Sequence, residues 1–326
     1  KFKILVVDDS STDNTLLVAR KFKNELLQYS EELEIISSGA RPTDKNWVGK
    51  NWPCHIGSQK INSEWILFID ADLIVSENCI FNALSKAITD KIDLLSLAPR
   101  VNCNCLSEWM VQPIMTNLLT IGFPIFNTND VNNDTSFAAG PFMLFKKDSY
   151  IKIGGHEGTH NEVVEDLALA KKIKNNNLKL NFLIAIKDLS LNMYSDLDSL
   201  IEGWSKNWFL GLNRDLLKSI SASIFVLLTY SYPLLVFLTT NFILISQKST
   251  RLLPITIISL VSLITYAMKR FWLERSYSIP SKYWYLTSIG GFIVFYISLV
   301  SIYKTYTGRG WTWKGRNLFS SRKQSK

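Results

Sequence analysis

The fold class this 326-residue sequence predicts is an α/β domain followed by a membrane-embedded helical region. Three observations carry that expectation. Strand-like and helix-like segments alternate through the first two hundred residues, which predicts a mostly parallel sheet with covered faces. Three apolar runs without a single charge follow: Ser219–Ser246 (28 residues), Leu252–Met268 (17) and Tyr283–Tyr303 (21). About 20 apolar residues cross a bilayer as a helix, so the first and third are good spans and the second a short candidate. Charge divides at the same place. Residues 1–202 hold 20 Lys and Arg against 26 Asp and Glu, net −6, and residues 203–326 hold 16 against 2, net +14, which together give the overall +8. The basic excess therefore belongs to a tail of apolar runs and is no nucleic-acid footprint.

The elements follow in order. "ILVVD" is a strand, and Asp13–Tyr29 is an amphipathic helix behind a Ser/Thr/Asp cap. "LEIIS" is a second strand, with a loop rich in Gly, Pro and Trp from Gly39 to Pro53. His55–Asn62 is a short helix, and "WILFIDAD" a strand ending in acids. "DLLSLAP" and "FAAGPFMLFK" are further strands. Glu108–Phe126 is apolar but interrupted by Pro113 and Pro124. It fits either a helix lying in the bilayer interface or a buried connecting helix. The expected divisions are a catalytic domain over 1–202, an interfacial linker over 203–218, helices at about 219–246, 252–268 and 283–303, and a basic cytoplasmic tail over 304–326. Tyr230, Tyr232, Trp272, Tyr283, Trp284 and Tyr285 stand where an aromatic belt would sit. Cys54, Cys79, Cys103 and Cys105 show no metal-ligand spacing, which fits a reduced, cytosolic soluble part.

The chemistry is carried by acids at strand ends, where open α/β sheets bind ligands. Asp8 and Asp9 close the first strand. They suit two machines: a phospho-receiver, or a transferase that grips the base and ribose of a nucleotide. A receiver needs a phospho-acceptor Asp, then a Thr or Ser and a Lys, at later strand ends. Here the later strand ends in Asp70-Ala71-Asp72. Two carboxylates one residue apart suit a hard divalent ion bound together with diphosphate oxygens. The receiver is excluded.

The ordered motifs "VVDDSSTDNT", "GKNWPCHIGSQKINSEWILFIDAD", "FAAGPFMLFKKDSYIKIGGHEG", "VVEDLALAKKIK", "EGWSKNWFLG" and "GRGWTWKGR" resemble the family 2, GT-A fold inverting glycosyltransferases. The resemblance is to the membrane-bound branch that glycosylates lipids such as hopanoids and carotenoids, and it covers nearly the whole chain. It implies Asp166 as general base with Glu165 beside it. Asp8, Asp9, Asp70, Lys50 and Lys206 would serve the donor, and Asp72 with Asp70 would hold Mg²⁺ or Mn²⁺. His156, Trp204 and Trp208 would stand on the acceptor side. The implied partners are a nucleotide-sugar, UDP-glucose first among donors, and a lipid hydroxyl in the bilayer. The implied location is a multi-pass membrane protein with its catalytic domain in the cytoplasm. Against each role stands an ordinary one: a capping turn at Asp8–Asp9, first-turn helix acids at Glu165–Asp166, a solvated loop lysine at Lys50, a lysine snorkelling at the membrane for Lys206, and a structural His156. The family's usual first strand is absent before Lys1. "WSKNW", Trp204 to Trp208, stands where processive enzymes carry a Gln or Arg followed by Arg-Trp. That departure favours transfer of one sugar over a polysaccharide synthase. A catalytically inactive scaffold is the non-enzyme alternative, and the intact Asp70, Asp72 and Asp166 speak against it.

Overall fold

A computed structural model describes residues 2–26, 32–122, 124–248, 250–308, 312–313 and 316–317. Most of the basic tail lies outside the described residues. An opening β-α-β unit places β1 (Lys3–Asp8) parallel to β2 (Glu32–Ser37) around α1 (Thr15–Leu26), in register from Lys3↔Glu32 to Asp8↔Ser37. Next come α2 (Asn51–Gln59), β3 (Trp65–Ile69), β4 (Leu73–Val75), α3 (Cys79–Thr89), β5 (Leu94–Ala98), β6 (Arg100–Asn102) and α4 (Leu106–Gly122). They are followed by β7 (Phe142–Lys146), α5 (Lys147–Lys152), α6 (Glu165–Asn175), β8 (Leu180–Ile184) and β9 (Leu189–Asn192). Five helices follow, α7 (Leu197–Gly211), α8 (Leu216–Val226), α9 (Tyr232–Gln247), α10 (Leu253–Tyr277) and α11 (Thr287–Thr307), and β10 (Thr312–Trp313) then pairs antiparallel with β11 (Arg316–Asn317).

The expected class holds, but the expected mostly parallel sheet does not. The central sheet runs β3-β7-β5-β8, and β7 is antiparallel to both its neighbours while β5 and β8 are parallel. The chain reaches β7 after the long excursion through α4, so no βαβ crossover obliges it to run parallel. Phe142, Met143, Leu144 and Phe145 are all buried, the continuous apolar run of a strand covered on both faces. One face packs Met143, Phe145 and Ile66 against Leu169 and Ile173 of α6. The other packs Phe142, Leu144 and Leu95 against Ala83 and Ala87 of α3.

Two boundaries move. The helix expected over His55–Asn62 begins at Asn51, because Pro53 falls in its first turn, where a missing N–H costs nothing. The strand expected to open at "FAAGP" opens at Phe142, because Pro141 cannot donate to a ladder.

The expected linker over 203–218 is largely helical. Asp196 caps α7 in a reciprocal box with Ser199 (2.8 and 3.3 Å), and the helix runs through residue 202 to Gly211. It buries Trp204, Trp208 and Phe209 beside α11 and α4. The segment over Glu108–Phe126 is the connecting helix α4, packed on α11 and α7.

Among the described residues, three helical segments are long and apolar enough to cross a membrane: Leu216–Gln247, which joins α8 and α9 through a widened turn at Leu227–Ser231, Leu253–Tyr277 and Trp284–Thr307. Phe242, Ile245, Ile258 and Met268 are each more than 60% exposed. So much outward apolar surface suits lipid rather than water. The third segment is 44% buried against 22% for the other two, so α11 is the one the α/β domain is seated on.

That seat is close. A Cβ on Gly290 would stand 2.1 Å from the Met110 carbonyl oxygen of α4. Gly290→Ala should therefore force α4 and α11 apart and lower stability by about 1–3 kcal/mol. Thermal unfolding in detergent, with an unchanged midpoint counting against this contact, checks it.

Candidate active site

The end of β1 is built first. Asp8 is buried and both its carboxylate oxygens accept the Ser11 N–H at 3.3 Å, so it closes the turn at the strand end. Asp9 accepts from Arg41 Nη2 at 2.7 Å and from the Ser38 hydroxyl at 3.0 Å. Arg41 also donates to the Gly49 carbonyl at 2.9 Å. Gly49 has φ +55°, a left-handed turn that glycine makes without strain. Arg41 therefore ties the loop carrying Lys50 to the acids at the end of β1. The sequence offered no sign of Arg41, one basic residue in a polar loop.

Lys50 precedes α2, and its ammonium donates to Asp70 and sits 3.2 Å from Glu165. Asp70 ends β3, and its N–H donates to the Pro141 carbonyl at 3.1 Å. That contact exists because β7 runs antiparallel to β3, pairing Ile69 with Phe142 and bringing the N-terminal end of β7 beside the acids. Gly140 then donates its N–H to Asp166 Oδ2 at 2.9 Å, while Asp166 Oδ1 accepts from Leu167 N–H at 2.8 Å. A Cβ at Gly140 would stand 3.0 Å from Asp166 Oδ2 and 3.3 Å from Lys50 Nζ. A side chain there would make the Asp166 carboxylate and the Lys50 ammonium give way by a few tenths of an ångström.

The electrostatics separate the two neighbouring acids of α6. Burial raises the Asp166 carboxyl and the Glu165 charge raises it further, to about 6, against a partial offset from Lys50. Burial also pushes Glu165 upward, but Lys50 and Lys206 outweigh it and hold that carboxyl below its ordinary value. Asp70 is raised by burial, with Lys50 opposing. Burial works against the Lys50 ammonium, yet Glu165 and Asp70 keep its pKa well above the usual lysine value. It keeps 36% of its side-chain surface, so it is crowded by protein without being sealed off. Lys206, on α7, lies within electrostatic reach of Glu165, Lys50, Asp166 and Asp70, and burial lowers its pKa.

Asp72 is exposed in the turn after β3, close enough to Asp70 to raise it. Among the described residues, no group of three or more His, Cys, Asp or Glu could hold a metal. Two hard-oxygen carboxylates still fit Mg²⁺ or Mn²⁺ when substrate phosphates supply the remaining ligands.

The three expected acceptor-side residues are all buried, and His156 lies within electrostatic reach of Glu165 and Lys50. His156 is buried, its Nδ1 2.8 Å from the Tyr150 hydroxyl and its ring 4.6 Å from that of Phe68; burial drops its pKa to about 3. It is a neutral packing residue. Trp204 and Trp208 are core between α7, α4 and α11, because their face of α7 meets the apolar helices. Cys54, on α2 beside Lys50, has its thiol pushed up to about 12 by burial, which removes it as a nucleophile.

This arrangement of strand-end acids and a lysine can be set beside known proteins. Residues 1–154 match glycosyl transferase family 2. The chain is 25% identical over 211 residues to the 4,4'-diaponeurosporenoate glycosyltransferase of Staphylococcus aureus strain USA300, covering 64% of this chain and 53% of that protein. The strain MRSA252 protein of the same name is 26% identical over the same length. The chain thus spans about half the length of these relatives. Among solved structures, S. aureus TarS matches with TM-score 0.39 and 17% identity over 63% of this chain and 33% of that one. Glucosyl-3-phosphoglycerate synthase from Mycobacterium tuberculosis, in complex with Mn²⁺, UDP and glucosyl-3-phosphoglycerate, matches with TM-score 0.38 and 13% identity over 64% and 66%.

The raised carboxyl gives a pH prediction. Folded Asp166 keeps its proton up to about pH 6, whereas an unperturbed Asp releases it near 3.8. Between those values the folded state holds the extra proton, so this group's contribution to stability is present below the lower value and lost as pH rises through the upper one. Carbon-13 carboxyl titration of the ligand-free protein should show one apparent step near 6 from the Glu165–Asp166 pair, moving upward in Lys50→Met. A step at the ordinary Asp value would contradict the geometry.

Proposed function

We propose that the chain transfers one sugar, with inversion, from a nucleotide-sugar to a hydroxyl of a membrane lipid. The observation that carries this is the union, at one sheet edge, of Lys50, Asp70, Glu165 and Asp166. They sit beside a helix, α7, whose opposite face is buried among apolar helices. In this reading Asp8 and Asp9 face the base and ribose, with Arg41 holding Asp9 in place. Lys50 and Lys206 face the diphosphate. Asp72 with Asp70 would hold Mg²⁺ or Mn²⁺, which offsets charge on the leaving diphosphate when bound.

Asp166 takes the proton of the acceptor hydroxyl. A base works best with its pKa near the working pH, and burial beside an ionised Glu165 moves this carboxyl from the usual Asp range toward it. Glu165 stays ionised and positions Lys50. The two backbone N–H groups on Asp166 fix both its oxygens, so the carboxylate is oriented before substrate arrives.

The apolar helices supply the acceptor's solvent. α7 carries Lys206 to the acids and packs Trp204, Trp208 and Phe209 against α4 and α11, so a lipid-borne hydroxyl can approach along this junction. The S. aureus relatives are named for a carotenoid-type acceptor, which supports a long apolar one here. UDP-glucose is the expected donor, and a multi-pass membrane protein with its catalytic domain in the cytoplasm the expected location.

Membranes containing the chain, incubated with labelled UDP-glucose, should yield a lipid heavier by one hexose in the mass spectrum of the lipid extract. A polymer ladder, or no labelled lipid with any UDP-sugar, would overturn the reading. Asp166→Asn should lower transfer by about 10²–10⁴-fold while UDP affinity stays level. Near-normal transfer by folded Asp166→Asn protein would remove this residue from the mechanism.

A further inference from the structure

Arg270 stands on α10, one helical turn before Glu274, and is 2% exposed. A charged side chain inside a candidate span is costly and calls for a partner of stated chemistry. Its Nη1 donates to the Trp109 carbonyl of α4 at 3.0 Å, and its Nη2 to the Pro280 carbonyl at 3.1 Å. The first bond has a simple origin. Pro113 lacks the N–H that would pair with the carbonyl four residues back, and that carbonyl is Trp109. Arg270 caps the orphaned oxygen and ties α10 to α4.

That role uses only part of the group. A guanidinium carries five N–H donors in a fixed plane. Its Nε is buried with no hydrogen-bond partner, and among the described residues Arg270 forms no ion pair. Glu274 is turned to Ser281, whose hydroxyl donates to it at 2.6 Å. The hydrogen bonds that the guanidinium makes go to two backbone carbonyls, and Glu274 acts on its charge from a distance.

Beside it lies a cavity of about 40 Å³ lined by Arg270, Lys269, Asn117, Tyr230, Tyr266 and Thr287 among apolar walls. One water needs roughly 10–15 Å³ on this measure, so the space suits the oxygens of one small acidic group. Asn117 Nδ2 donates to the Tyr230 hydroxyl, which fixes two polar groups at the rim. Lys269 and Arg270 end the charge-free run of α10 at Met268. The cavity therefore sits at the level where lipid headgroups meet acyl chains.

We propose that this cavity between α4 and α10 binds the oxyanion of a membrane amphiphile, with Arg270 and Lys269 as its cationic wall. Either a phospholipid phosphate or the carboxylate of an acidic lipid offers that chemistry. The proposal goes beyond sugar transfer and rests only on α10 lying in a bilayer.

The test is lipid retention by the full chain, read by native mass spectrometry without donor, so failure of the transferase reading leaves it untouched. The protein is reconstituted in vesicles of digalactosyldiacylglycerol, which carries neither phosphate nor carboxylate, doped with phosphatidylglycerol, or in parallel with a long-chain fatty acid. Wild type should retain one of these dopants over digalactosyldiacylglycerol by about tenfold or more, as charge-assisted hydrogen bonds imply. Phosphatidylglycerol retention assigns the phosphate source; retention of the fatty acid alone assigns the carboxylate. Arg270→Gln should abolish the preference. Because that variant also releases the Trp109 carbonyl, Asn117→Leu provides a second arm that fills the cavity and keeps the tie, and it too should abolish the preference. Retention of both dopants at the digalactosyldiacylglycerol level by wild type, or wild-type preference in Asn117→Leu, would overturn the site.

Discussion

The Lys50 ammonium is the constraint around which the site is arranged. It joins three pieces of chain that share no sequence neighbourhood: the loop before α2, the turn ending β3, and the first turn of α6. Without a cation there, Asp70, Glu165 and Asp166 would gather three negative charges at one sheet edge, and like charges in a crowded site resist ionisation together. With it, Glu165 is held ionised and Asp166 is left near 6. One lysine thus sets two different protonation behaviours on adjacent residues. It also favours glycine at position 140, since a side chain there would press on both Lys50 and Asp166.

Much of this was legible from residue types. Acids at strand ends, the Asp70-Ala71-Asp72 spacing and the charge-free runs each have a local signature, and the strands, the acids and the apolar helices stand where those signatures put them. What escaped was non-local. An antiparallel β7 has the same continuous apolar composition as a parallel one, so its direction, and with it the arrival of Gly140 and Pro141 at Asp70, left no mark in the chain. Arg41 is likewise a loop arginine until folding brings it to Asp9. Trp204, Trp208 and His156 sit in motif-like stretches and are buried, because aromatic side chains are drawn first to whatever core is nearest.

The domain and the apolar helices form one packed unit. α7 serves both, with Lys206 toward the acids and its tryptophans against α4 and α11. Phe209 N–H donates to the Ser301 hydroxyl of α11 at 3.0 Å, and Gly290 lets α11 touch α4. Small and hydroxyl residues at such contacts let helices approach closely where no hydrophobic drive separates protein from lipid. A reaction joining a water-soluble donor to a bilayer-borne acceptor needs this rigidity, because about 1 Å of misplacement between reacting groups can cost roughly 10²-fold in rate.

The central claim is that the Lys50 cluster is where the donor's diphosphate binds. Calorimetric titration of UDP, with Mn²⁺ present, into wild-type and Lys50→Met protein tests it directly. Losing a charge-assisted contact to the diphosphate, and leaving Asp70 and Glu165 to repel it, should weaken UDP binding by about tenfold or more. Equal affinity in a folded Lys50→Met protein would place the diphosphate elsewhere and contradict the account.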